Sequence, residues 1–112
     1  MRVAIAGLGA WTLLLIAGVF EIAWAIGLKY AQGFTRPLPS AVTVVAMVLS
    51  FLFLAQALKT MPVGTAYAVW TGVGAVGTAV LGIILFNEPR NAIRLACIAL
   101  VVLGVLGLRA SG

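Results

Sequence analysis

Uncharged apolar runs divide the chain into four. Residues 3–28 carry one charged side chain, Glu21, while residues 37–58, 60–87 and 95–108 carry none. A helix crossing the ~30 Å hydrocarbon core of a bilayer needs ~20 apolar residues. Four such spans use about 80 of the 112 residues and leave roughly 32 for loops and ends. Turn residues fall between the runs. Pro37 and Pro39 in the segment 33–40 (GFTRPLPS) end one helix and begin the next. Lys59-Thr60-Met61-Pro62 is a connection short enough to make the second and third helices antiparallel neighbours. Asn87-Glu88-Pro89-Arg90 closes the third. The pattern predicts an all-α integral membrane subunit, a single membrane domain over 1–112 with helices near 8–29, 40–58, 63–86 and 91–108. The fourth has the shortest uncharged stretch, so Arg94 and Arg109 are expected to reach toward the two interfaces.

Composition agrees and removes other classes. Hydrophobic residues make up 64% of the chain and charged ones 8%, against about 45–50% and ~25% in soluble domains. Nine charges cannot cover a globule of this size, and low hydrophobicity, the mark of disorder, is absent. A soluble enzyme is thereby excluded, and no enzymatic activity is expected. The net charge of +5 is not a nucleic-acid footprint, because Arg2, Lys29, Arg36, Lys59, Arg90, Arg94 and Arg109 are scattered between apolar runs rather than gathered on one face. With one cysteine and no histidine, neither an intrachain disulfide nor the usual zinc constellations can form, and no metal or other cofactor is expected. Cys97 reads as a small packing residue. The N-terminus superficially resembles a signal peptide, with Arg2, an apolar stretch and Ala23-Trp24-Ala25, but Glu21 interrupts it where cleavage would fall. A retained first helix is expected. Four spans put Arg2, Lys59 and Arg109 on one side and Lys29, Arg36, Arg90 and Arg94 on the other. Such a near tie leaves two readings open: insertion in both orientations, or a weak win for one side.

Glu21 carries the strongest chemical signal. An ionised carboxylate near the middle of a span costs at least ~2.5–3.5 kcal/mol on insertion scales, and intramembrane acids usually face a bundle interior and mark an ion or proton pathway. The structural alternative is pairing with Lys29, but Lys29 lies at the helix end, where it is expected to snorkel outward. Three- and four-residue steps put Ala17, Gly18, Glu21, Trp24, Ala25 and Leu28 on one face. Small residues admit a neighbouring helix there, and Trp24 sets an aromatic ring beside the acid. The third span carries a second stripe of Tyr67, Trp70, Gly74 and Gly77. Carboxylate, Trp and Tyr together have the chemistry of a cation site; taken singly, Tyr67 and Trp70 are better read as helix packing. Ser50 is the one polar side chain deep in the second span. It either bonds across helices or satisfies its own i−4 carbonyl. Gly72 to Gly77 matches GxGxxG, but a dinucleotide site needs a preceding strand, so these glycines are expected to let the helix bend and its neighbours approach. Gly104 and Gly107 are expected to serve contacts between subunits, and Glu88 reads as a solvated acid favoured by the start of the fourth helix.

The runs 17–24 (AGVFEIAW), Leu28-Lys29, 33–36 (GFTR), 59–77 (KTMPVGTAYAVWTGVGAVG) and 86–89 (FNEP) resemble the small multidrug resistance transporters over essentially the whole chain. Gly-Thr-Ala-Tyr-Ala-Val-Trp-Thr together with Gly-Phe-Thr-Arg is more similar to the guanidinium-exporter branch than to the quaternary-ammonium branch. The stretch before Trp11 is longer than usual for the family. The resemblance implies a four-helix subunit of a bacterial-type inner membrane, working as an antiparallel homodimer that exports guanidinium-type cations in exchange for protons. It also implies that Glu21 is the carboxylate shared by substrate and proton, that Trp24, Ser50, Tyr67 and Trp70 line the site or hydrogen-bond the acid, and that Gly18 is a small residue on the same face. Two other functions stay open from the residues alone. One is an exporter of bulkier quaternary ammonium or hydrophobic cations; the other is a non-transporting, proton-carrying subunit of a membrane assembly. Subunits of that last kind are typically two-helix hairpins, where the aromatic set would have no purpose.

Overall fold

The structure, a computed structural model, describes residues 9–111. Arg2, the stretch before Gly9 and the expected helix start at residue 8 lie outside the described residues. Four helices follow one another: α1 (Ala10–Ala31), α2 (Pro37–Ala57), α3 (Val63–Phe86) and α4 (Ala92–Ser111). They contain 22, 21, 24 and 20 residues, so each is about 30–36 Å long, enough to cross a bilayer core.

Local chemistry sets their ends. Helix α1 stops where Gln32, Gly33 and Phe34 all take positive φ, and the Thr35 and Arg36 amides donate back to the Ala31 carbonyl at 3.1 and 3.2 Å. Helix α2 starts at Pro37, three residues earlier than the prolines suggest, because a first-turn proline lacks only an N–H that the helix leaves unpaired anyway. Left-handed Asn87 caps α3, and its amide and that of Glu88 both reach back to the Gly82 carbonyl, the latter at 3.2 Å. Asn91 lies just outside α4 as its N-cap, its Oδ1 accepting the Arg94 amide at 2.9 Å.

The helices form a flat row, 39 × 37 × 19 Å overall. Helix α1 packs against both α2 and α3, and α4 packs against α3. Leu13, Leu14 and Ala17 of α1, Ala57 of α2, and Ala66, Val69 and Trp70 of α3 make the buried core. Small residues set the spacing. A Cβ at Gly18 would lie 2.5 Å from a Val73 methyl, and Gly27 accommodates Thr43 in the same way.

The GxGxxG run lies within unbroken α3 and divides its glycines between two neighbours. Gly72 faces Val105 of α4, while Gly74 and Gly77 face Glu21 and Ile22 of α1. Close approach, rather than a bend, is their role in this fold. Helix α4 buries none of its residues. Gly104 and Gly107 have open space where a Cβ would stand, and Cys97, expected to pack, is exposed on the same helix.

Candidate functional site

Glu21 sits mid-way along α1 on the side turned to α3. A Cβ on Gly74 would collide with its carboxyl group, so the missing side chain at 74 is what admits the acid. The Glu21 Oε1 atom is buried without a hydrogen-bond partner. Among the described residues the carboxylate that pairs with a cation is Glu88, not Glu21. Lys29 lies elsewhere, its ammonium 5.5 Å from the centre of the Phe86 ring. Trp24, one turn from Glu21, likewise has a buried Nε1 donor with no partner. One unpartnered acceptor and one unpartnered donor thus stand near each other on α1, each costly to leave so in a dry interior.

Ser50 and Trp70 tie three helices together beside the acid. The Trp70 Nε1 donates to Ser50 Oγ at 3.0 Å, and the Ser50 hydroxyl donates to the Ala17 carbonyl at 2.7 Å, both bonds buried. Of the two roles open to Ser50, the cross-helix bond is the one formed. Thr43, on the same helix, takes the other and bonds its own i−4 carbonyl at Pro39. The choice of Ala17 matters because that carbonyl stands four residues before Glu21 and belongs to the turn that carries it. Ser50 therefore holds the backbone under Glu21, and Trp70 orients Ser50.

The aromatic side chains form a connected series. Trp24 meets Phe51 edge-on with ring centres 6.4 Å apart, Phe51 meets Trp70 at 5.7 Å, and Trp70 meets Tyr67 at 5.7 Å. Trp70 is 7% exposed and Tyr67 is 58% exposed. The ring of Tyr67 rests on Trp70, while much of the residue faces outward. Gly18, also on α1, is buried against Val73 of α3 one turn from Glu21. The structure thus brings Glu21, Trp24, Ser50, Trp70 and Gly18 to one region, with Tyr67 at its edge. Phe51 escaped the sequence reading, since a lone Phe in an apolar helix carries no signal of its own; its place after Ser50, on the helix that reaches Trp70, was the available clue.

A separate polar cluster lies at the end of the molecule where α1 stops and α4 starts. Arg94 Nη2 donates to Glu88 Oε1 at 2.6 Å, with the side chains 32% and 41% exposed. Glu88 is therefore an ion-pair partner rather than a lone solvated acid, because the turn at Asn87 folds it back over Gly82, where a Cβ would collide with it. Arg94 points to this partner instead of reaching outward alone. At the other end, the Arg109 guanidinium lies 4.8 Å from the centre of the Trp11 ring.

Known proteins give this arrangement a family. Residues 9–101 match the family model described as Small Multidrug Resistance protein. The chain is 57% identical over 102 residues, 91% of its own length and 97% of the relative's, to a protein of Escherichia coli K12 named guanidinium exporter. Proteins of the same name from Citrobacter freundii and Proteus vulgaris are 54% identical (91% and 97% covered) and 53% identical (89% and 96% covered). These relatives are named as transporters, not enzymes. The chain belongs to the small multidrug resistance family, as a multi-pass protein of the bacterial inner membrane.

Proposed function

We propose that this protein exports guanidinium and small guanidinyl cations in exchange for protons, as an antiparallel homodimer with one four-helix membrane domain per subunit. The observation that carries the reading is Glu21, one of whose carboxyl oxygens is buried on the side of α1 turned to α3, with no hydrogen bond formed and no cation paired to it. An acid held in apolar surroundings without a partner is free to take a proton or a cation, and a carboxylate cannot serve both fully at once. The names of the relatives support guanidinium as the cation. Its chemistry fits: a planar ion with N–H donors on three nitrogens pairs bidentately with a carboxylate and stacks on aromatic faces.

The neighbouring residues take roles from their contacts. Glu21 binds substrate or proton. Trp24 offers a free N–H and an aromatic face beside it. Ser50 and Trp70 hold the turn under the acid, and Tyr67, its ring against Trp70, supplies a phenol at the edge of the site. Gly18 keeps α3 close to α1. A second copy supplies what one subunit lacks. Helix α4 has no buried residue of its own, and Phe51 and Tyr67 are exposed at the rim of the site. Many transporters place a midplane site between inverted repeats, and two copies inserted in opposite directions generate that repeat from a chain this short. If the dimer switches its open side only when loaded, inward proton flow drives outward cation export.

The test is transport current in proteoliposomes with guanidinium, a bulky quaternary ammonium and choline, using Glu21→Gln as the control. The expected result is guanidinium current that vanishes in the variant. Current with the quaternary ion alone would assign the protein to multidrug export, and no current from any cation in folded dimer would refute transport of these substrates.

A further inference from the structure

The end of the molecule that carries the Glu88–Arg94 pair holds a cavity of 360 Å³, open on one side, whose polar wall is made by Lys29, Thr78, Glu88 and Arg94. Two hydrogen-bond donors on that wall are buried and unpartnered among the described residues: the Thr78 hydroxyl and Arg94 Nε. Thr78 does not take its own i−4 carbonyl as Thr43 does, and Arg94 spends only its Nη2 on Glu88. The ionisable side chains around the space are two cations and one carboxylate, so an anion is favoured by charge and the two free donors ask for an acceptor. Arg94, Ala75 and Ala79 also border a second hollow of 200 Å³ between α3 and α4, which continues along the apolar side chains of Val76, Cys97, Ile98 and Val101. A donor-rich cationic head space running into an apolar groove has the shape of one ligand class.

We propose that this cavity and groove bind an anionic phospholipid, its phosphate among Lys29, Thr78 and Arg94 and one acyl chain along the α3–α4 groove. Basic pockets between membrane helices near an interface recognise such headgroups. Glu88 has a part in selectivity: by holding Arg94 Nη2 it leaves Nε as an unpartnered donor, and its charge disfavours a second anion in the same space. None of these side chains belongs to the Glu21 site, so loss of lipid preference and loss of transport are distinguishable outcomes.

The experiment is competitive binding to the purified full-length protein, read by native mass spectrometry, of phosphatidylglycerol against phosphatidylcholine with matched chains. The wild-type protein is expected to prefer phosphatidylglycerol. Lys29→Gln should reduce the preference about fivefold, the worth of one cation near a lipid surface. Thr78→Val and Arg94→Lys, which keeps a cation for Glu88 but removes Nε, should each reduce it too. Arg36→Gln, exposed at the same end and outside the cavity, should leave it unchanged. Equal binding of the two lipids by the wild type would overturn the proposal, as it would if a second subunit fills the space. So would a preference that survives Lys29→Gln, Thr78→Val and Arg94→Lys but falls in Arg36→Gln. Displacement of the lipid by millimolar inorganic phosphate would also overturn it, marking a site for free anions instead.

Discussion

Gly74→Ala separates folding from function most cleanly. The added methyl would stand 2.8 Å from Glu21 Cγ and closer still to the carboxyl group, where ordinary contact begins near 3.4 Å. Relief requires the Glu21 side chain to move by about 0.6 Å at Cγ and by more at the carboxyl, since dispersion contacts turn repulsive below their optimum. The obstacle is the end of a flexible side chain, not backbone, so a rotation of ~30° from its rotamer, costing roughly 0.5–1.5 kcal/mol, clears the clash. Against that cost, alanine in a helix interior gains about 1 kcal/mol over glycine. The two nearly cancel, and stability should stay within about 1 kcal/mol of the parent. Function should not survive so easily, because a misplacement of ~1 Å at a reacting group can cost ~100-fold in rate. The assay pairs unfolding in detergent with guanidinium current at equal protein density in liposomes. Gly64→Ala is the control, with open space at its Cβ position, and should match the wild type in both. A Gly74→Ala protein with wild-type current would refute the placement of Glu21 against α3.

Three further outcomes follow from the contacts. Ser50→Ala strands the buried Trp70 N–H, and a double-mutant cycle with Trp70→Phe should give a coupling of about 0.6 kcal/mol in unfolding free energy, the average for hydrogen bonds between membrane helices, and at most about 1.7 kcal/mol; additive effects would show that the bond contributes nothing. Tyr67→Phe keeps the ring contact with Trp70 and removes the hydroxyl of a largely exposed residue, so the unfolding midpoint should hold while guanidinium transport falls; a lowered midpoint with full transport would reverse that assignment. Glu88→Gln breaks a half-exposed ion pair, worth at most about 1 kcal/mol after solvent screening, and guanidinium current should persist; its loss would place Glu88 on the transport path.

Much of this was legible because a membrane sequence makes exceptions conspicuous. Glu21 stands alone among 26 residues of apolar chain, and a lone intramembrane acid announces itself by its energetic cost. Four spans separated by Pro, Gly and charge followed from the same logic. What was not legible depends on contacts between helices. Nothing in the spacing of Ser50 and Trp70 says that they bond, or that the other end of Ser50 falls on Ala17. The glycines of α3 read as one motif, yet they serve α4 at Gly72 and α1 at Gly74 and Gly77, because a helix turns 100° between successive residues. Glu88 and Arg94 are six residues apart across Pro89, a separation that belongs to no helical pairing rule, so only the fold of the turn brings them together. Phe51 looked like any apolar residue until its neighbours were known.

The central claim is that one carboxylate serves proton and guanidinium by turns, and proton release on binding tests it most directly. Guanidinium is titrated calorimetrically into the purified dimer in buffers of different ionisation enthalpy, at several pH values, with wild type and Glu21→Gln compared. The account predicts that binding expels protons, that guanidinium affinity weakens as pH falls, and that Glu21→Gln shows neither effect. Guanidinium binding that is tight, independent of pH and accompanied by no proton release would contradict it.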